Sequence, residues 1–370
     1  MNSGTKAFFL VIMTTALFCG FLPQFITVQI PYNFERLHVF LFNLCSGGSI
    51  ILYYTIGKRR ITAPIGLFIV ISIIYAFLAF FNLYIPAMTC SFVLASIVAS
   101  IRIRKFGFVP GFFKKNISVS EKFHQAAMLC LSLGLIISTL VIINNEYLKL
   151  INMKKLVIDT FFLGFSFPLS LITMSLMFAL IPENLHVESH TLKESGFWAI
   201  NLGVIIFFLF ILFEKMEAQL LISGILFVAV IVIFFLYMRD GKVVQQKNFL
   251  TSGMFFLVMT AITGIAYIVL EFFPNRDPQI MKFLLKLHTF TSLYGWNLSG
   301  LAVIIRYNDF PIQLHSRRLI AFHWFTVLIT APIGAFSKEF AIAATASYAF
   351  ILYKIFFSGT ANHAPALKSS

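Results

Sequence analysis

A chain of 370 residues has the length of one or two soluble domains, but 59% hydrophobic and only 11% charged residues exclude an ordinary soluble protein. The net charge of +14 does not predict nucleic-acid binding, because the lysines and arginines occur in short clusters between apolar runs. The 46 phenylalanines extend along the whole chain, so we predict one transmembrane domain over residues 1–370.

Apolar runs of about twenty residues recur along the chain, and each can cross the hydrocarbon core of a bilayer as a helix. We therefore predict an all-α polytopic membrane protein, with Pro168 kinking its sixth helix. The first apolar run continues past Pro23 without a signal-peptide cleavage site, which favours a retained helix. The twelve predicted helices lie near residues 7–29, 36–56, 62–80, 82–101, 120–144, 157–181, 196–214, 217–238, 249–271, 280–305, 318–337 and 339–358.

The basic residues predict the orientation of these helices. With the N-terminus inside, the inner loops contain clusters such as Lys58, Arg59 and Arg60, whereas no outer loop contains three basic residues together. We predict that both termini are cytoplasmic and that the membrane is of the cytoplasmic type, most simply a bacterial inner membrane.

Two histidines near the outer ends of predicted helices are candidate ligands. His38 follows Arg36 on the second helix and His288 lies in the outer third of the tenth, and both helices run inward, so the imidazoles share a depth. Small residues follow each histidine at helical spacing: Cys45, Ser46 and Ser49 after His38, with Gly47 and Gly48 adjacent, and Ser292, Gly295 and Ser299 after His288.

These small residues allow two interpretations. One is a haem with two axial imidazoles, whose propionates face Arg36, Lys282 or Lys286. The other is close packing of helices, with the histidines hydrogen-bonded to neighbouring helices.

A second pair, His124 and His323, begins the fifth and eleventh predicted helices near the inner face. A second haem or a proton path is one interpretation, and interfacial side chains that reach towards water are the other. The remaining histidines, His186, His190, His315 and His363, fall in predicted loops or the C-terminal tail.

Other classes of site find less support in the sequence. The chain contains no GxSxG, HExxH, P-loop or Rossmann glycine pattern, and its carboxylates near helix ends are single, so nothing indicates hydrolysis or nucleotide chemistry. A transporter would be expected to have polar residues at the bilayer midplane and broken helices. The candidates for that role are Asn201, Thr260, Thr263, Gly264 and Asn297.

The positions of His38 and His288 resemble the plan of haem-copper oxidase subunit I, in which histidines of the second and tenth of twelve helices bind haem. Two segments resemble the NnrS family, which are haem- and copper-containing membrane proteins linked to nitric oxide stress. These segments are Arg36-Leu37-His38, and Leu287-His288-Thr289-Phe290-Thr291 continuing through Gly300 to Arg306. The resemblance implies an oxidase-like bundle with b-type haem held by His38 and His288 beside Arg36 and Lys286, and a quinol or a redox subunit as electron partner.

The sequence departs from this plan at the copper site. An oxygen- or nitric-oxide-reducing centre needs histidines on the sixth and seventh helices, and residues 157–181 and 196–214 contain none. We therefore predict no copper and no reductase activity, and instead a haem protein acting in electron transfer or in a nitric oxide or oxygen response. The alternative is a haem-free transporter or an assembly subunit of a membrane complex.

Overall fold

The computed structural model describes residues 1–26, 32–57, 60–114, 116–153, 155–182, 187–307 and 313–358, and these contain helices and turns but no strand. Helices α1 to α5 are Ser3–Phe21, Phe34–Ile56, Ala63–Phe80, Tyr84–Phe106 and Val119–Leu148. Helix α6 joins Leu156–Phe161, Phe162–Ser166 and Phe167–Ala179, and α7 to α9 are Val187–Leu212, Met216–Asp240 and Gln245–Glu271. Helix α10 joins Pro278–Phe290, Thr291–Asn297 and Leu298–Ile305, α11 joins Arg317–Phe325, Thr326–Thr330 and Ala331–Gly334, and α12 is Lys338–Phe357.

The all-α polytopic class is confirmed, and ten of these helices are long and apolar enough to cross a membrane. Helices α10 and α11 are not among the ten, so a count of twelve spans stays a prediction. These two helices contain His288, Asn297 and His323, and such polar side chains lower the mean hydropathy of an otherwise apolar run.

Two predicted boundaries are wrong. The first helix was expected to reach residue 29, but α1 ends at Phe21 and a 3-10 turn at Pro23 follows it. The seventh helix was expected to begin at residue 196, but α7 begins at Val187 and places His190 on a helix, where its side chain is exposed. The polar residues of this first part have tertiary partners: Glu194 forms an ion pair with Lys122 of α5 at 2.7 Å, and Lys193 donates to the carbonyl of Pro182. Residues 27–29 of the first predicted helix, Lys58, Arg59, His186 and His363 lie outside the described residues.

Several helices contain wider π-helical turns, which often occur at functional sites. The segment in α6 comes immediately before Pro168, whose missing N–H and bulky ring disturb a regular helix at the predicted place. The π-helical segments are Phe40–Gly48 in α2, Ile143–Leu148 at the end of α5, Phe162–Ser166 in α6, Thr291–Asn297 in α10 and Thr326–Thr330 in α11.

Close packing of helices is set by glycine where α5 crosses α6. A Cβ added at Gly134 would lie 2.3 Å from the Cα of Gly164, so the two backbones touch. Such contacts between small residues are the usual way in which helices associate within a membrane. We call the end of the bundle where α2 begins and α9 ends the Arg36 end, and the opposite end the Arg306 end.

Candidate functional site

His38 is buried between three helices near the Arg36 end. Its Nδ1–H donates to the carbonyl of Ala16 on α1 at 2.8 Å. The ring lies against Gly20, where an added Cβ would be 3.0 Å from Nδ1. The hydroxyl of Tyr294 on α10 lies 2.9 Å from Nδ1 and 3.4 Å from Nε2. The imidazole is therefore held by protein groups along its whole polar edge.

His288 contacts a different neighbour. Its Nδ1–H donates to the carbonyl of Thr260 on α9 at 2.9 Å, and its ring lies against Gly264, where an added Cβ would be 3.1 Å from Cε1. The opposite face of α10 meets α2, because Lys286 bonds Glu35 and Tyr294 contacts His38. His288 is two residues beyond Lys286 and so is rotated from it by about 200°. The structure therefore does not place the two imidazoles across a shared space.

The predicted partners of the haem propionates have other contacts. Lys286 forms an ion pair with Glu35 at 2.5 Å, which joins α10 to α2 at the Arg36 end. Lys282 lies 5.4 Å from the ring centre of Phe336. The guanidinium of Arg36 lies 6.0 Å from the ring centre of Phe161 on α6. Arg36 thus points towards α6 and not towards His288.

The small residues below the two histidines are covered by side chains from neighbouring helices. An added Cβ would lie 2.6 Å from Leu169 at Gly47 and 2.4 Å from Phe256 at Gly295. This packing leaves no room there for a flat macrocycle, and it is the close-packing arrangement that the sequence also allowed. A haem held by His38 and His288 together does not fit the residues as they are packed.

The second histidine pair is also divided between different neighbours. The Nε2 of His124 lies 2.8 Å from the hydroxyl of Thr55 on α2, and its ring packs on Tyr54 and Phe106. His323 is fully buried, and its Nε2–H donates to the backbone carbonyl of Tyr294 at 2.6 Å. His323 is therefore bonded to Tyr294 of α10, whereas His124 contacts Thr55 of α2.

Hydrogen bonds join four helices in the interior of the bundle. Asn43 of α2 donates through Nδ2 to Ser166 of α6 at 2.6 Å, and Trp296 of α10 donates to Ser170 of α6 at 2.7 Å. Tyr294 completes the set, because its side chain contacts α2 and its carbonyl accepts from α11. Four of these five side chains, those of Asn43, Ser166, Tyr294 and Trp296, lie on π-helical segments. Ser170, His38 and His323 each contact a residue of the segment Thr291–Asn297.

Five buried polar atoms in this region have no hydrogen-bond partner among the described residues. We call their side chains the midplane set: Asn43 (Oδ1), Asn297 (Oδ1), His323 (Nδ1), Thr326 (Oγ1) and Tyr348 (Oη). Apart from His323, each lies roughly 12–14 Å along its helix from the nearer end. Because the hydrocarbon core of a bilayer is about 30 Å thick, this distance corresponds to its centre.

Tyr294 connects members of the midplane set. The ring of Tyr348 lies 4.9 Å from the ring of Tyr294 in an edge contact, and His323 is bonded to the carbonyl of the same residue. Asn297 follows one turn later on α10, and Thr326 follows His323 by one turn on α11. The set therefore includes neighbours from α10, α11 and α12.

Sequence reasoning singled out only part of this region. Of the five transporter candidates, Asn297 belongs to the midplane set. Thr260 donates to Thr291 of α10, and Gly264 lies against His288. Thr263 and Asn201 donate to carbonyls of their own helices. Tyr294 and Tyr348 were missed because an aromatic residue in an apolar run is ordinary. Asn43 and Thr326 were also missed, although a lone Asn or Thr inside such a run is the signal that singled out Asn297.

These features define the class of the chain: a polytopic all-α membrane protein with a histidine- and tyrosine-containing polar interior. No protein-family model matches the sequence, and neither a curated protein nor a solved structure matches it.

Proposed function

We propose that this chain is a haem-free transporter that conducts protons, with the midplane set on the proton path. The observation that supports the proposal is the group of five unpaired polar atoms, four of which lie near the depth of the bilayer centre. Proton relays in membranes use such interior polar residues, histidine among them.

An unpaired polar group in an apolar interior costs free energy. Leaving one amide or hydroxyl without a hydrogen bond costs about 1–3 kcal/mol by protein mutational data. Five such groups would be a large fraction of the stability of an ordinary protein, which is about 5–15 kcal/mol. Water molecules or a transported species would offset this cost. Every unpaired atom of the set can accept a hydrogen bond, which suits water and protonated species.

His323 is the group in the set that can carry a proton. Its Nε2–H is committed to the carbonyl of Tyr294, so in the neutral ring Nδ1 is a lone pair. The ring is fixed by stacking on Phe249 at 5.8 Å and by Phe256 at 5.0 Å. A fixed ring with one open nitrogen can receive a proton and release it without leaving its place.

The orientation is part of the proposal. We propose that the Arg306 end faces the cytoplasm of a bacterial inner membrane, with both termini on that side. The basic clusters in the loops at this end support it by the positive-inside rule.

The test uses purified protein in vesicles containing a pH-sensitive dye, with a membrane potential imposed by a potassium gradient and valinomycin. We expect potential-driven acidification with the wild-type protein and its loss in His323→Gln. Glutamine keeps an N–H donor of similar reach but cannot be protonated. The matched control is His124→Gln, which also changes a buried histidine but should keep the flux. Flux no greater than in protein-free vesicles, or unchanged flux in His323→Gln, contradicts the proposal.

The haem hypothesis is tested by the same preparation. One observation favours it: the Nδ1–H of His288 is bound to a carbonyl, which leaves Nε2 as a lone pair, the state in which histidine binds metals. An absorption spectrum of the oxidised and dithionite-reduced protein should be featureless above the aromatic band if the chain is haem-free. A Soret band with sharp reduced bands, lost in His288→Ala, would establish a b-type cytochrome and make a quinol or redox subunit the expected partner.

A further inference from the structure

A small cavity opens at the Arg36 end between α2, α3, α4, α5 and α6. Its volume is about 70 Å³, and its walls combine aromatic rings with polar groups. One water needs roughly 10–15 Å³ on this measure, so the cavity admits about five groups of that size. The lining includes Arg36, Tyr75, Tyr84, Ser138, Glu146 and Thr160.

The cavity contains one cationic and one anionic side chain. Among the described residues, no hydrogen bond or ion pair reaches the guanidinium of Arg36, which lies 6.0 Å from the ring centre of Phe161. Glu146, on the π-helical end of α5, also forms no ion pair within the described part of the chain. Both side chains line the same space without pairing with each other.

The hydroxyl groups that line the cavity already have hydrogen-bond partners. The hydroxyl of Tyr75 lies 3.0 Å from Ser138, which lies 2.9 Å from Ser91 on α4. Thr160 donates to the carbonyl of Leu156 in its own helix. These groups need no further partner. Tyr84 hydrogen-bonds Glu146, whose carboxylate has further lone pairs that can accept from a ligand. The two charged side chains are therefore the groups that can recognise a ligand.

From this geometry we infer that the cavity binds a small zwitterion, an α-amino acid the size of glycine or alanine, with its carboxylate on Arg36 and its ammonium on Glu146. A guanidinium binds a carboxylate through two parallel hydrogen bonds, and a carboxylate accepts well from an ammonium. The phenylalanines of α2 and α6 in the lining restrict the ligand's side chain to hydrogen or a methyl group. The inference concerns binding alone and does not depend on proton conduction or on haem.

The experiment is calorimetric titration of the full-length protein in detergent with glycine and alanine. N-acetylglycine, which keeps only the carboxylate, and glycinamide, which keeps only the ammonium, are the comparison ligands. We expect saturable binding of glycine, and binding at least tenfold weaker for each comparison ligand. Arg36→Met should weaken glycine binding at least tenfold, and Glu146→Gln should remove the preference for glycine over N-acetylglycine.

Arg276→Met is the matched control. It removes an arginine at the same end of the bundle, where Arg276 pairs with Glu271 at 3.1 Å away from the cavity, and it should leave the affinity unchanged. Each variant is first checked for the elution volume and helical signal of the wild type. The proposal is overturned by the absence of glycine and alanine binding, by N-acetylglycine binding as tightly as glycine, or by unchanged affinity in a folded Arg36→Met protein.

Discussion

Replacing Gly134 by alanine should destabilise the bundle where α5 crosses α6. The added methyl carbon would lie 2.3 Å from the Cα of Gly164 and 2.8 Å from its carbonyl oxygen, whereas ordinary contacts are 3.4–4 Å. The backbones must therefore separate by about 1 Å, since the atom in the way is backbone and cannot rotate aside. Overpacking of a tight core costs about 1–3 kcal/mol, and we expect the upper part of that range.

Gly224 on α8 is the matched control, because nothing lies within 4 Å of a Cβ added there. Gly224→Ala should be neutral or stabilising by up to about 1 kcal/mol, since alanine has less freedom to lose on folding. The assay is unfolding by sodium dodecyl sulfate in mixed micelles, followed by tryptophan fluorescence. Equal midpoints for the two variants, or a Gly134→Ala protein as stable as the wild type, would refute the contact between α5 and α6.

Three further substitutions test interhelical contacts, the first two by the same unfolding assay and the third by amide exchange. Tyr294→Phe removes the hydroxyl that lies beside His38, and it should cost about 1 kcal/mol, the usual net value of one hydrogen bond; an unchanged midpoint would exclude a stabilising role for that contact. Lys122→Met should cost about 2 kcal/mol because it leaves the partly exposed Glu194 without its partner, and adding Glu194→Gln should recover part of this loss. Arg306→Met removes two hydrogen bonds to carbonyls at the end of α12, so amide exchange there should become faster while exchange in α1 stays the same.

Helix positions could be predicted from the sequence because a bilayer imposes a simple condition. In a helix of about twenty apolar residues, the backbone groups hydrogen-bond within the helix and the side chains are compatible with lipid. Such a helix needs no contact with any other helix to be stable in the bilayer. The predicted 36–56 and the observed Phe34–Ile56 agree for this reason. The start of α7 could not be predicted in the same way, because its polar residues are stabilised by Lys122, which is far away in sequence.

The histidines illustrate what such a prediction omits. The predicted direction and position of each helix predict the depth of His38 and His288 in the membrane. A shared depth does not specify the direction in which each side chain points. The direction on α10 depends on which of its faces meets α2, and that is decided by Lys286 and Tyr294 through contacts with Glu35 and His38. The π-helical segment Thr291–Asn297 changes the rotation of all later residues about the helix axis, and neither helical spacing nor hydropathy predicts it.

Helix α2 connects the two sites that we propose. It is the most enclosed of the ten candidate spans, with 83% of its apolar window buried, and it contributes Arg36 to the cavity and Asn43 to the midplane set. The π-helical segment Phe40–Gly48 begins between these two residues and includes the second, so a small change in its winding would move one relative to the other. If both proposals hold, glycine at saturating concentration should change the proton flux of the wild-type protein but not that of Arg36→Met. Flux that is insensitive to glycine would mean that α2 is rigid between the sites, and that the cavity and the proton path act independently.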